Sequence, residues 1–182
     1  MSKPIPLTPE KIRPKYEQIG VDGYYATHGS SYRNPHEKQI HILLETMLPH
    51  LNLENVLDLA CGSGEVTTKL LEHGASVSGV DPYTAEAYFL RTGLQAERLS
   101  FADIAAGLLL GRRYSLVICS FALHLCAVSR LPTVCYQLAQ VSHQLLLLSP
   151  HKRPILKPEW GLRLETEISF ERVKARLFSS AY

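Results

Sequence analysis

Short apolar segments alternate with segments of helical periodicity along most of this chain, and that alternation constrains the fold more than any other feature. Five segments have the length and composition of buried strands: 56–60, 75–80, 98–101, 114–120 and 144–148. Between them, apolar residues recur at helical spacing, as do Leu131, Val134 and Leu138. Strands that are apolar on both faces and joined by helices form parallel sheets covered on both sides.

The two ends of the chain differ from this pattern. Near the C-terminus, LRLETEIS and RVKARLFSSAY have the pattern of two strands with no room for a helix between them, which predicts an antiparallel hairpin at the sheet edge. The predicted fold is therefore α/β, a doubly wound, mostly parallel seven-stranded sheet with helices on both faces and an antiparallel C-terminal hairpin. Residues 1–34 are rich in Pro, Gly, Ser and Tyr and are predicted to be an arm over the active site, followed by one domain, 35–182. Asn34 is predicted to cap the first helix of that domain, which ends before Pro49.

Composition limits the classes of protein further. The 182 residues suit one domain with a sizeable core, and 46% hydrophobic and 20% charged residues are ordinary for a globular protein. A net charge of +2 is too small to indicate nucleic-acid binding by itself. The four cysteines have no CxxC or zinc-ligand spacing, so we predict buried thiols in a reducing compartment and no metal site.

The N-terminus lacks the unbroken apolar stretch of a signal peptide. The longest apolar runs of the chain are too short to span a bilayer. We therefore expect a cytoplasmic protein, with a nuclear location left open.

A glycine-rich turn follows the first predicted strand, in VLDLACGSGEV at residues 56–66. In a doubly wound sheet, ligands bind beyond the carboxyl ends of the strands, where the strand order reverses. Gly62 and Gly64 allow the backbone to turn tightly and to approach a ligand, and the helix after them offers unpaired N–H groups. NAD, FAD and S-adenosylmethionine all fit such a turn.

Further positions distinguish between these cofactors. Thr67 occupies the place of the third glycine of a G-x-G-x-x-G motif. Asp58, four residues before Gly62, would repel a pyrophosphate but suits a ligand with an ammonium group. Asp81 ends the second predicted strand, where a carboxylate accepts hydrogen bonds from ribose hydroxyls, and Asp103 is predicted to end the third, within reach of an adenine amino group. These acids favour a cationic, phosphate-free nucleoside over a dinucleotide.

Four segments, VLDLACGSGE, VSGVDPY, FADI and YSLVICSFALHL, resemble in this order three motifs and the fourth strand of the class I S-adenosylmethionine-dependent methyltransferases. The resemblance covers residues 56–182 and implies a methyltransferase with S-adenosylmethionine as its cofactor. It implies that the methionine part of the cofactor is held by Asp58, Ala60, Gly62 and Gly64. It also implies contacts of Asp81 with the ribose, of Asp103 and Ile104 with the adenine, and of Ser120 near the sulfonium.

N-terminal segments of this family often fold over the cofactor. Arg33 is therefore a candidate to pair with the carboxylate of the cofactor, and Tyr25, His28 and Tyr32 are candidates to contact the substrate. Methyl transfer from a sulfonium is an in-line displacement, so a general base is needed only for a protonated, weakly acidic acceptor. His124, just after the fourth strand, is the predicted base, with His28 and Tyr25 as rivals.

The chain departs from the pattern of the family near the fourth strand. Ser115 occupies a position where the family often has Asp. SFALHL follows the strand in place of an Asn-Pro-Pro-aromatic motif, which disfavours planar amide and adenine nitrogens as methyl acceptors.

The acceptor stays open between a small molecule, RNA and protein, and the oligomeric state is not predicted. The loop 151–160 combines basic residues with an aromatic one and is a candidate RNA contact; it contains His151, Lys152, Arg153, Lys157 and Trp160. The alternative function is a catalytically silent methyltransferase-fold subunit that binds RNA or a protein partner, although such a subunit has no need of the three acids. Thr67 and Asp58 disfavour a nicotinamide dehydrogenase.

Overall fold

Seven strands form one sheet in the described part of the chain, which is Gly29 together with residues 33–150 and 152–182 of a computed structural model. The strands are β1 (Val56–Leu59), β2 (Val77–Val80), β3 (Ala96–Glu97), β4 (Tyr114–Ser120), β5 (Ser142–Ser149), β6 (Leu162–Phe170) and β7 (Val173–Ser180). Their order is β3-β2-β1-β4-β5-β7-β6; β1 to β5 are parallel, and β7 is antiparallel to both β5 and β6. The predicted sheet, with its antiparallel C-terminal hairpin, is confirmed.

Helices cover both faces of this sheet. Over the same residues the α-helices are α1 (Glu37–Met47), α2 (Glu65–Leu71), α3 (Ala85–Thr92), α4 (Phe101–Ala105) and α5 (Leu131–Val141). Ile40 of α1 and Leu70 of α2 belong to the hydrophobic core on one face. Ile104 of α4 and Leu138 of α5 belong to the core on the other face.

The run of four leucines in β5 follows from this two-sided cover. Leu145 and Leu147 face the core that contains α5, whereas Leu146 and Leu148 face the core that contains α1. Successive side chains of a strand point to opposite faces, so a strand that is buried on both faces needs an apolar residue at each position.

The first helix begins slightly later than predicted. Its N-cap position is His36 rather than Asn34, and the helix ends at Met47, before Pro49 as expected. Asn34 still organises the start of the helix, because its side-chain Oδ1 accepts a hydrogen bond of 2.9 Å from the N–H of His36. Its carbonyl oxygen accepts a second one, of 3.3 Å, from the N–H of Glu37.

The prediction for the third strand was wrong. The strand covers only Ala96 and Glu97, and the residues predicted to extend it begin α4 instead. Ser100 is the N-cap of that helix in a capping box: its hydroxyl accepts from the N–H of Asp103, and the Asp103 carboxylate accepts from the N–H of Ser100 at 2.8 Å. Satisfying two otherwise unpaired N–H groups stabilises a helix start over a longer strand, so Asp103 lies inside a helix and not at a strand end.

The four cysteines are buried and form no disulfide, as predicted. Burial raises the pKa of Cys126, and it raises that of Cys135 to about 12, so these thiols stay protonated and pack as small apolar groups. Among the described residues, no helix is long and apolar enough to cross a membrane.

The topology places several chain turns at one edge of the sheet. β1 pairs in parallel with β2 on one side and with β4 on the other, so the carboxyl ends of these three strands lie side by side. The chain runs outward from β1 in both directions, to β3 and to β5. The residues that follow Leu59, Val80 and Ser120 therefore meet at the switch point of the sheet, where doubly wound folds bind ligands.

Gly79 in β2 leaves the space that the buried ring of Tyr88 occupies. A Cβ atom at Gly79 would lie 2.6 Å from Cζ of Tyr88. We expect Gly79→Ala to lower the free energy of unfolding by ~1–3 kcal/mol in urea denaturation, because overpacking forces the ring or the strand to shift. Ser78→Ala, at the neighbouring exposed position, is the control and should change it by less than ~0.5 kcal/mol. Equal stability of the two variants would contradict this packing.

Candidate functional site

The turn after β1 has an unusual backbone path. Ala60, Gly62 and Gly64 all have positive φ angles, of 56°, 56° and 85°. Gly64 is the N-cap of α2, and a Cβ atom there would lie 2.5 Å from Cγ2 of Thr92 in α3. Glycine adopts positive φ without strain, whereas Ala60 carries a side chain in a sparsely populated region, a condition that concentrates at functional sites.

The carboxylate of Asp81, at the end of β2, holds this turn in place. Oδ2 accepts a hydrogen bond of 3.2 Å from the N–H of Gly62. Oδ1 accepts two more, of 2.8 and 3.0 Å, from the N–H groups of Tyr83 and Thr84. Asp81 is 7% exposed, so a buried negative charge stabilised by backbone N–H groups lies at the switch point of the sheet.

A cavity of about 320 Å³ opens in front of Asp81. Four turns of the chain surround it, those after β1, β2, β3 and β4. Its lining residues are Ala60, Gly62, Asp81, Pro82, Tyr83, Ser100, Phe101, Ala102, Ser120, Phe121, Ala122, Leu125, Cys126, Ala127 and Arg130. One carboxylate, two serine hydroxyls and three aromatic rings near each other suit the ribose and base of a nucleoside. Among the described residues the lining has one arginine and no lysine, which is a poor match for a pyrophosphate.

The wall formed by the end of β4 has two features of a ligand site. The hydroxyl oxygen of Ser120 is buried and has no hydrogen-bond partner among the described residues. The next residue, Phe121, has a φ of 56°, and its ring stacks on the imidazole of His36 at a centroid distance of 4.9 Å. Buried polar atoms are normally paired, so the Ser120 hydroxyl is left for a group that the described residues do not supply.

A second, narrow cavity of about 20 Å³ shares Ala60, Gly62 and Ser120 with the large one and is also lined by Asp58. Asp58 is 1% exposed. The hydroxyl of Thr67 in α2 donates a hydrogen bond of 2.7 Å to its Oδ2. Burial raises the pKa of Asp58 to about 7, although the hydrogen bond from Thr67 lowers it.

Glu65, the first residue of α2, connects this cavity with the start of α1. Its Oε1 accepts hydrogen bonds from the N–H of Asn34, at 2.9 Å, and from the hydroxyl of Ser63. Arg91 of α3 lies 3.5 Å from the same oxygen and also pairs with Glu37 of α1. The glycine turn and three helices are therefore tied to one buried carboxylate, which is 3% exposed.

The structure brings together some of the residues that the sequence predicted for the cofactor. Ala60, Gly62, Asp81 and Ser120 line the large cavity, and Asp58 lines the narrow one. Other predicted residues line neither cavity: Gly64, Asp103, Ile104, Arg33 and His124.

These other residues have different surroundings. The Asp103 carboxylate accepts from the N–H and the hydroxyl of Ser100, at 2.8 and 2.6 Å. Ile104 is fully buried in the core, Gly64 caps α2, and Arg33 and His124 are exposed. The predicted substrate residues Tyr25, His28 and Tyr32 lie outside the described residues.

Several residues of the site were missed by the sequence analysis, among them Tyr83, Ser100, Phe101 and His36. A signal for two of them was present. SFAD, at residues 100–103, has the spacing of a capping box, in which Ser precedes an acidic residue by three positions. That pattern places the start of a helix at Phe101, so that Ser100 and Phe101, rather than Asp103, follow the end of the strand.

The described part of the basic loop after β5, residues 152–160, lies apart from both cavities, since none of these residues lines either one. Lys157 lies over the ring of Trp160, at 5.8 Å from its centroid, and 4.0 Å from the carboxylate of Glu159. Lys152 and Arg153 are exposed, and His151 lies outside the described residues. Lys157 and Trp160 thus contact each other, and an RNA contact of this loop stays a prediction.

The fold and the cavity together define a doubly wound α/β protein with its ligand site at the switch point. A family model described as a methyltransferase domain matches residues 56–144. An uncharacterized protein of Schizosaccharomyces pombe is 35% identical, over 94% of this chain and 93% of its own length.

Solved structures have the same fold. Magnesium protoporphyrin IX methyltransferase of Synechocystis, crystallised with S-adenosylmethionine, is 20% identical with a TM-score of 0.60, over 92% of this chain and 93% of that one. The N-methyltransferase NodS of Bradyrhizobium japonicum, in complex with S-adenosylhomocysteine, is 13% identical with a TM-score of 0.63, over 95% and 100%. The chain contains a methyltransferase domain, and its fold is that of the class I S-adenosylmethionine-dependent methyltransferases. The predicted family, cofactor and reaction class are confirmed.

The raised pKa of Asp58 makes stability depend on pH. In the unfolded chain this carboxyl ionises near its ordinary pKa of 3.8, but in the folded protein it holds its proton up to about pH 7. The folded state therefore binds more protons in this window, and its stability falls as the pH rises from about 4 to about 7. Across this pH window we expect the free energy of unfolding of wild type to fall by ~4 kcal/mol relative to that of Asp58→Asn, since one pH unit contributes about 1.4 kcal/mol.

Urea denaturation of both proteins at several pH values measures this difference. Asp103→Asn is the matched control, because hydrogen bonds from Ser100 lower the pKa of Asp103. Its difference from wild type should stay nearly constant from about pH 4 to about pH 7, because a lowered pKa changes stability only below the ordinary value of 3.8. Parallel curves for wild type and Asp58→Asn would contradict a raised pKa.

Proposed function

We propose that the two connected cavities hold S-adenosylmethionine, with its ribose on Asp81 and its adenine between Tyr83 and Phe101. The amino-acid end then lies against Ala60 and Gly62, towards the narrow cavity that Asp58 lines. The observation that carries this proposal is the convergence of these groups on one cavity of about 320 Å³. The adenine site proposed here replaces Asp103 and Ile104, which were predicted from the sequence, because neither of them lines the cavity.

The bound cofactor supplies an electrophilic methyl group on a sulfonium. The protein contributes binding and orientation, since an in-line displacement depends on holding the two reacting atoms in line. The hydroxyl of Ser120, which has no partner among the described residues, belongs to the wall that the two cavities share. In the proposed binding mode, the sulfonium of the cofactor lies beside this hydroxyl.

The acceptor is proposed to approach from the side of Phe121 and His36. One contact supports an arm on this edge of the sheet: a Cβ atom at Gly29 would lie 2.6 Å from the carbonyl oxygen of Tyr83, which lines the cavity. The arm over the active site, residues 1–34, and the pairing of Arg33 with the cofactor carboxylate stay predictions.

His36 replaces His124 as the proposed proton acceptor. Neither histidine lines a cavity, but His36 is half-buried and stacks on the ring of Phe121, which lines the large one, whereas His124 is exposed. Burial lowers the pKa of His36 below its usual range. The imidazole is therefore neutral near pH 7 and able to take a proton from an acceptor that must lose one.

The class of the methyl acceptor stays open between a small molecule, RNA and protein. The case for RNA depends on the loop 151–160. A cytoplasmic location is also proposed, on the basis of the four free, buried thiols. A catalytically silent subunit stays the alternative function, and cofactor binding followed by transfer of a labelled methyl group separates the two.

Two matched substitutions test the placement of the cofactor. Asp81→Asn should weaken binding of S-adenosylhomocysteine at least about tenfold in isothermal titration calorimetry, because a charged acceptor for the ribose hydroxyls is lost. Asp103→Asn removes the same charge but keeps an acceptor for the N–H of Ser100, and its affinity should stay within about threefold of wild type. Equal effects of the two substitutions would show that the adenine side of the site is misplaced.

Labelled methyl transfer from S-adenosylmethionine to a fractionated cell extract tests the reaction and reveals the acceptor class. For an acceptor that must lose a proton, His36→Gln should reduce the rate about a hundredfold or more, the usual contribution of a general base. His124→Gln should leave the rate near that of wild type, and both variants should still bind S-adenosylhomocysteine. A rate that falls only in His124→Gln would restore the assignment made from the sequence. Cofactor binding by wild type without transfer to any fraction would favour the silent subunit.

A further inference from the structure

Three buried polar side chains from three different elements form a chain of hydrogen bonds behind the cofactor site. Asp58 of β1 is 1% exposed, and Thr67 of α2 and Tyr88 of α3 are both 0% exposed. The Thr67 hydroxyl is 2.7 Å from Oδ2 of Asp58 and 3.0 Å from the hydroxyl of Tyr88.

The directions of these hydrogen bonds follow from the number of hydrogens. A threonine hydroxyl has one hydrogen to donate and accepts through its lone pairs. When Asp58 is ionised it only accepts, so the hydrogen of Thr67 points to Asp58 and the hydrogen of Tyr88 points to Thr67. Each donor in such a chain strengthens the next, and the arrangement is therefore complementary to a carboxylate at Asp58.

Two glycines make room for the tyrosine at the end of this chain. A Cβ atom at Gly79 would lie 2.7 Å from the Tyr88 hydroxyl, and one at Gly64 would lie 3.3 Å from Cδ2 of its ring. The ring is thus confined between β2 and the turn after β1. Tyr88 has little freedom to move away from Thr67, so the orientation of the Thr67 hydroxyl is defined as well.

We infer that Thr67 and Tyr88 are positioning residues, which hold Asp58 as an oriented carboxylate for the ammonium group of the cofactor. This inference rests on the proposed function, because it needs the amino-acid end of the cofactor in the narrow cavity that Asp58 lines. It gives a reason for threonine at position 67, where a dinucleotide-binding motif has its third glycine. A glycine there would leave Asp58 buried without its side-chain donor.

The charges around Asp58 show why it needs such support. Burial is the largest cause that raises its pKa, and the carboxylates of Glu65 in α2 and Asp81 at the end of β2 raise it further. Three further titratable groups among the described residues interact with Asp58: Tyr88 in α3, Cys61 in the turn after β1 and Cys119 in β4. They are all neutral at pH 7, because the pKa of each is raised. The hydroxyl and the amide of Thr67 lower the pKa of Asp58. Loss of the hydroxyl therefore shifts Asp58 towards its protonated form at neutral pH.

Two ligands that differ at the amino-acid end separate this role from a general effect on the site. S-Adenosylhomocysteine carries the ammonium group, whereas 5′-methylthioadenosine has the same nucleoside without it. Isothermal titration calorimetry at pH 7 should show about tenfold weaker binding of S-adenosylhomocysteine to Thr67→Val, the scale of one hydrogen bond to a charged group. Binding of 5′-methylthioadenosine should stay within about twofold of wild type.

The pH profile and the conservative variant add readouts that a purely structural role would not move. The loss in Thr67→Val should become smaller as the pH rises from about 7 to about 8.5, because Asp58 ionises again. Thr67→Ser keeps the hydroxyl and should restore the affinity for S-adenosylhomocysteine. Tyr88→Phe keeps the ring and removes only the far hydroxyl, so the same selective loss should appear with a smaller size, about threefold.

The outcomes are distinct. Equal weakening of both ligands, or no weakening of either, in folded Thr67→Val overturns the inference while the proposed function stands. Failure of wild type to bind S-adenosylhomocysteine overturns the proposed function, and the inference with it. If Thr67→Val does not fold by circular dichroism, the selective loss in Tyr88→Phe decides the matter in the same way.

Discussion

The hydrogen bonds of the Asp81 carboxylate to the N–H groups of Gly62, Tyr83 and Thr84 are the interactions on which the rest of the site depends. Parallel pairing of β1 and β2 fixes the strands but leaves the turns beyond their ends undetermined, and those turns carry N–H groups that need acceptors. One side chain satisfies them in both turns at once. It thereby fixes the distance between the glycine turn and the start of α3, and it places Tyr83 on the wall of the cavity. The same carboxylate lines that cavity, so the group that holds the turns is also the one we propose to bind the ribose.

Glu65 extends this organisation to the N-terminal side of the domain. A buried carboxylate is costly unless donors or opposite charges surround it. Here hydrogen bonds come from the segment before α1 and from the glycine turn, and an ion pair comes from Arg91 of α3. The start of α1 is therefore tied to the glycine turn, which lines both cavities. His36 lies two residues after Asn34, within this tied segment, and stacks on Phe121 at the end of β4. Residues far apart in the sequence meet at the proposed acceptor side because buried acids hold their segments together.

Much of the fold was predictable from the sequence because its signals are local and strong. The apolar run in β5 and the period of α1 each identify an element, and the alternation of strands with helices leaves few ways to arrange a parallel sheet. The prediction of the third strand failed because the strand is only two residues long, too short to show a sequence pattern. In addition, the capping box of Ser100 and Asp103 acts through paired hydrogen bonds, which leave no trace in the hydrophobic periodicity. Among the residues that line the two cavities, Asp58, Ala60, Gly62, Asp81 and Ser120 had been predicted, since each lies in or just after a predicted strand. Tyr83, Phe101 and His36 were missed, since their position depends on how separate turns pack.

The sequence by itself determined the doubly wound sheet, the glycine turn at its switch point and the acids that favour a phosphate-free, cationic nucleoside. These follow from residue type and spacing, which the chain carries in short segments. Only the tertiary structure decided which of the acids face the cavity. Asp81 turns to the cavity and to the glycine turn, Asp103 turns back to the N–H group of Ser100 at the start of α4, and Asp58 is directed by Thr67 from α2. Each carboxylate orients towards the nearest hydrogen-bond donors. The donors around these three acids lie in turns and helices whose positions depend on the packing of the whole domain.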